Sequence, residues 1–92
     1  MKTINKSMKP IIEIASALSL YVSKGWIKRF ETQLEKLEWK YFSNYNFNNE
    51  FAEFRYDGYY YAIFDDRIRY RSLKEAKFHE IRAKDYTQVN YA

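Results

Sequence analysis

The chain has no cysteine, one proline, two glycines and one histidine among its 92 residues, and each shortage removes a class of protein. Without cysteine there is no disulfide framework, no thiolate zinc cluster and no thiol nucleophile, which fits a reducing compartment; the expected location is the cytoplasm. The lone histidine, His79, excludes a multi-histidine metal cage and leaves any Ser–His–acid triad resting on one residue. It reads as a half-exposed structural histidine beside Glu80. Gly25 and Gly58 are too far apart to form a phosphate-cradling loop. No apolar run reaches the ~20 residues of a membrane span: Ile11 to Val22 is broken by Glu13, Ser16 and Ser19, and Lys24 and Lys28 follow it without a cleavage pattern. No metal, no cofactor and no membrane partner are expected.

What is abundant is ring-bearing bulk and positive charge. Ten Tyr, seven Phe and two Trp make 21% of the chain aromatic, within 47% hydrophobic and 30% charged residues. That is globular composition with enough bulk for one core, and the length allows a single domain over residues 1–92, monomer or homodimer. Sixteen Lys and Arg against 12 Asp and Glu leave a net charge of +4, a mild bias toward polyanions or acidic protein surfaces.

The pattern of elements predicts an α+β fold: two N-terminal helices, a three-stranded antiparallel meander and a C-terminal helix. Ile11, Ala15, Leu18 and Val22 recur at helical steps behind Ser7 and Pro10, giving a helix over about 10–24 that stops at Gly25. Ile27, Phe30, Leu34, Leu37 and Tyr41 repeat likewise over about 26–42. Asn44, Asn46, Asn48 and Asn49 then favour turns. Strands follow at about 51–56, 59–65 and 67–71. Asp57-Gly58 between the first two signals a type I′ hairpin, because that turn needs positive φ at both central positions. The register this fixes pairs Tyr56 with Tyr59, Phe54 with Tyr61 and Ala52 with Ile63; a second tight turn at Asp65-Asp66 extends it to Ile68 and Tyr70. Ser72-Leu73-Lys74-Glu75 has the form of a capping box and starts a helix over about 73–85. The tail from Thr87 to Ala92 is an edge strand or a frayed end.

The same register leaves a second face. Arg55, Tyr60 and Arg71 form one cross-strand row, Glu53, Ala62 and Arg69 the next, and Phe51, Phe64 and Arg67 the third. Guanidinium forks grip phosphates and rings stack bases, so Phe51, Arg55, Tyr60, Phe64, Arg67, Arg69 and Arg71 are the candidate site, with Lys24, Lys28, Arg29, Lys74 and Lys77 as secondary basic positions. Two plainer readings stand beside this one: a solvated face charged against aggregation, or a second core covered by a helix with arginines snorkelling at its rim. Asp65 and Asp66 read as turn residues, and no catalytic residue is assigned.

Four resemblances follow from these residues. The order helix, three strands, helix, with Lys74, Ala76 and Lys77 opening the last helix, is similar to double-stranded RNA-binding domains. The hairpin followed by Ser72 to Lys77 also looks like the arm-binding domains of phage-type integrases. Arg55, Tyr60, Arg69 and Arg71 resemble the Arg- and Tyr-based sites of RelE-like ribonuclease toxins, which implies metal-independent RNA cleavage. The Lys-, Asn-, Ile- and Tyr-rich, glycine-poor composition looks like accessory proteins of AT-rich phages, among them anti-CRISPR and other anti-defence inhibitors. That likeness implies a non-enzymatic inhibitor whose partner is a host nucleoprotein effector or its nucleic acid. An RNA- or DNA-binding regulator is the alternative, and the toxin is the third.

Overall fold

A computed structural model describes residues 3–19, 25–37, 42–48 and 50–92. Its elements in chain order are β1 (Thr3–Ile4), α1 (Lys9–Ser19), α2 (Trp26–Leu34), β2 (Phe42–Phe47), β3 (Ala52–Tyr56), β4 (Tyr59–Ile63), β5 (Arg67–Ser72), β6 (His79–Arg82) and β7 (Asn90–Tyr91). A 3₁₀ turn at Lys6–Met8 leads into α1, and another at Ala83–Gln88 precedes β7. Strands β2 to β6 form one antiparallel sheet in sequence order, while β1 and β7 pair in parallel as a separate ribbon.

The helices follow their apolar stripes. In α1, Ile11, Ile12 and Ala15 are buried, and in α2, Ile27, Phe30 and Leu34. The N-terminal cap is supplied by Asn5, whose side chain accepts from the Ser7 N–H at 2.9 Å. Gly25 enters α2 at φ 92°, a conformation that favours glycine. The expected run of the first helix from residue 20 to 24 lies outside the described residues. The second helix is shorter than its periodicity implies: it ends at Leu34 in tightened turns, Lys36 N–H donating to Gln33 and Leu37 N–H to Leu34. Phe42 is already in a strand, because pairing with β3 claims it.

The hairpin registers are those the sequence predicts. Asp57 and Gly58 have φ of 48° and 81°, and Tyr56 pairs with Tyr59, Phe54 with Tyr61, Ala52 with Ile63, Tyr61 with Tyr70 and Ile63 with Ile68. Alternate residues therefore face the helices. Phe54 and Tyr61 stack with centroids 5.3 Å apart, Phe30 of α2 tilts onto Phe54 at 6.2 Å, and Ile63, Ile68, Tyr70 and Ile81 complete that side. Burying one such side chain contributes about 1.5 to 3 kcal/mol, which is what holds two short helices on the sheet.

Three expectations are corrected. The sheet has five strands, not three, and no C-terminal helix forms. The Ser72 hydroxyl does accept a local N–H, that of Lys74 at 3.2 Å, and Glu75 N–H donates to the Ser72 carbonyl. These bonds close a turn instead of capping a helix, because the residues beyond lack a single apolar stripe. Ile81 enters the core only if the chain is extended, pairing Tyr70 with His79 and Ile68 with Ile81. The asparagine-rich segment is likewise strand β2, with a register shift between Ser43 and Asn46. Among the described residues Asn48 behaves as the expected turn former, its Oδ1 accepting from Glu50 and Phe51 N–H, while Asn49 lies outside them. The tail is strand β7, laid beside β1.

Two outcomes test this architecture. A Cβ at Gly58 meets no neighbour within 4 Å, so Gly58→Val carries only backbone strain and should lower stability by about 1 to 3 kcal/mol in urea melts; an unchanged midpoint contradicts the turn. The hydroxyls of Tyr61 and Tyr86 are fully buried with no partner among the described residues, and burial pushes both ionisations upward. An unfolded tyrosine loses its proton near pH 10 while these keep theirs, so their contribution is intact below about pH 10 and lost above it by about 1.4 kcal/mol per pH unit each. Urea midpoints should be flat to about pH 9.5 and fall by about pH 11; a flat profile throughout would mean these rings ionise freely in the folded chain.

Candidate functional site

Because α1 and α2 bury their stripes on one side of the sheet, the alternate strand positions form a part-exposed face on the other. The expected C-terminal helix, which could have covered it, does not exist. The three sequence-read rows are present; β6 extends two of them, and the loop before it reaches the third.

The first row holds Arg55, Tyr60 and Arg71, with Phe78 reaching over it from the loop before β6. Phe78 meets Tyr60 edge-on at 5.7 Å and is 40% exposed. The middle row is Glu53, Ala62, Arg69 and Glu80. In the third, Phe51 and Phe64 sit 5.5 Å apart; Phe64 N–H donates to the Arg67 carbonyl, and Arg67 pairs with Arg82. Five arginines and four rings thus share one face with two glutamates. All seven expected site residues lie on it.

Guanidinium groups lie over the rings. Arg67 Cζ is 4.1 Å from the Phe64 centroid, Arg69 Cζ 4.7 Å from that of Phe78, and Arg71 Cζ 5.5 Å from that of Tyr60. Two of these arginines are also held by oxygens. Arg71 Nη1 donates to the Glu75 carbonyl at 3.0 Å, and Arg67 Nη1 to Asp66 Oδ1 at 2.9 Å, with Nε 3.6 Å from Glu80. The side chains of Arg55, Arg69 and Arg82 have no hydrogen-bond or ion-pair partner among the described residues. They are the three arginines of the face whose donors are not taken by an oxygen of the described residues.

Tyr60 donates from its hydroxyl to Glu53 Oε1 at 2.7 Å. Burial and then this acceptor push its ionisation up to about 12, so it is a ring with a fixed proton and a poor base at neutral pH. His79 is not on this face. Its ring stacks on Tyr70 at 5.4 Å, and its Nε2 lies 3.7 Å from Glu75 Oε2. Among the secondary basic positions, Lys28 and Arg29 are exposed on α2, on the helix side of the sheet. Lys74 and Lys77 are exposed in the loop that carries Phe78, and Lys24 lies outside the described residues.

Phe78, Glu80 and Arg82 belong to the face although the sequence reading put them on a helix. The signal was present: Phe78, Glu80 and Arg82 alternate with His79 and Ile81, the period of a strand with one buried side. Among the described residues no group of three or more His, Cys, Asp or Glu converges as a metal cage, and no described helix is long and apolar enough to cross a membrane. Comparison with protein-family models, with curated proteins and with solved structures returned no match.

Proposed function

We propose that the protein is a non-enzymatic binding protein whose open sheet face takes single-stranded nucleic acid. The observation that carries this reading is the interleaving of rings with guanidinium groups on one face that no described helix covers, including three arginines without a polar partner among the described residues. A strand offers phosphates to the arginines and flat bases to the rings, and the two contributions add without needing base identity. A duplex keeps its bases stacked inside and has less use for such rings. The Leu73 to Lys77 stretch, on which the likeness to double-stranded RNA-binding domains rests, is a turn and loop rather than a helix start.

A second reading keeps the same face and changes the occupant. Glu53 and Glu80 stand among the arginines, and carboxylates oppose phosphate but suit the mixed charge of a protein surface. A mobile-element inhibitor of the anti-defence kind would bring this face against a host nucleoprotein effector. The RelE-like nuclease is disfavoured by a Tyr60 that holds its proton.

Salt titrations separate these readings. Against a labelled single strand, the double variant Arg55→Gln/Arg82→Gln should bind more weakly, with its log–log salt slope flatter by about 0.7 per lost contact. Its melting should stay within about 0.5 kcal/mol of the parent for each change, since neither side chain holds another in place. Tyr60→Ala should weaken binding with little change of slope, because stacking releases few ions. A parent protein without salt-sensitive affinity for any strand rejects the nucleic-acid reading. Co-purification of a host protein that survives nuclease treatment and is lost in these variants would then favour the inhibitor.

A further inference from the structure

The face has two ends built alike and a middle built differently. At one end, Tyr60 and Phe78 make a ring pair with Arg55 directly across from Tyr60; at the other, Phe51 and Phe64 make a ring pair in the row that ends in Arg82. Each end therefore combines a two-ring surface with one arginine lacking a polar partner among the described residues. Between them the row is Glu53, Ala62, Arg69 and Glu80; it too has an arginine without a polar partner among the described residues, Arg69, but no ring of its own, and Ala62 at its floor is 7% exposed. Its glutamates are engaged, Glu53 by the Tyr60 hydroxyl and Glu80 by Arg67.

Resting on the nucleic-acid reading above, we infer that the face is a two-platform site that grips two bases separated by one nucleotide, the intervening base making no stack. Tyr60 on β4 and Phe64, the residue that follows β4, are four residues apart, which at about 3.3 Å per extended residue separates the platforms by about 13 Å. Stacked neighbours rise about 3.4 Å per nucleotide, and a stretched sugar–phosphate unit reaches no more than about twice that, so adjacent bases cannot occupy both platforms. One bridging nucleotide spans the distance. Its base passes over Ala62, where there is no ring to receive it, and its flanking phosphates fall toward Arg55 and Arg82. The ligand class is an unpaired strand of at least three nucleotides, read by spacing and not by base edge.

Fluorescence anisotropy on the full chain tests this with labelled strands that are abasic except at two positions. Strands whose two bases flank one abasic unit should bind about five- to 150-fold more tightly than strands whose two bases are adjacent, the range one added stack confers. Phe78→Ala truncates an exposed ring, and Phe51→Ala a ring of the other platform. Each should bring the spaced strand down to the affinity of a strand with a single base. Equal affinity for adjacent and spaced bases, in a protein that still binds an unmodified longer strand, overturns the two-platform geometry alone. No binding to the unmodified strand overturns the nucleic-acid reading and the footprint with it.

Discussion

Two residues with positive φ, Asp57 and Gly58, set the parity of the whole sheet. In a hairpin with a two-residue turn, a slip of one position would move every ring of β3 and β4 to the opposite side. With the observed register, Phe54 and Tyr61 meet Phe30 of α2, while Arg55 and Tyr60 point away. The second turn at Asp65-Asp66 preserves that parity into β5, and the pairing of Ile68 with Ile81 carries it into β6. The core and the opposite, arginine- and ring-bearing face are thus two consequences of one constraint.

The covered side obtains its volume from tyrosines, at a polar cost. Tyr61 is wholly buried in the aromatic stack with Phe54, and its hydroxyl finds no partner among the described residues. Tyr86, from the 3₁₀ segment packed on α1, repeats the situation. An unpaired hydroxyl costs about 1 to 3 kcal/mol, comparable with what burying one large side chain contributes. Such rings are net stabilising only because their apolar area is large and edge or offset contacts add to it. A chain with two glycines and one proline has little other punctuation, so bulky rings at fixed strand positions do much of the work of specifying depth and register.

What was legible in the sequence follows from how local each signal is. The Asp57-Gly58 turn and both helix stripes are determined within a few residues, and from them the register and all seven candidate side chains of the face could be written down. Ser72 to Glu75 is also a local signal, but the same hydroxyl-to-amide bond serves a turn as well as a cap. Which one forms is decided by distant partners: Tyr70 for His79, Ile68 for Ile81 and Tyr60 for Phe78. Strand β2 was hidden because asparagines at 44 and 46 argue against a strand by propensity, and pairing with β3 outweighs that preference. The parallel contact of Thr3–Ile4 with Asn90–Tyr91 joins opposite ends of the chain through two residues each, too little for any periodicity to register.

The arginines that lie on the rings set the energy scale of recognition. A guanidinium over an exposed ring contributes about 0.5 to 1 kcal/mol, whereas a base stacked on a ring contributes about 1 to 3 kcal/mol. A base can therefore displace Arg67 from Phe64 or Arg69 from Phe78 at a net gain, provided the displaced charge finds a new partner. A strand supplies that partner in the phosphate beside the base. An isolated aromatic ligand does not, and a bare anion leaves the ring uncovered. Three of the four rings of the face, Tyr60, Phe64 and Phe78, thus carry a guanidinium in the free state, a cation that a ligand bearing both a flat ring and a neighbouring negative charge would replace. On the proposed reading, that double requirement is what would let an open sheet face select nucleotides.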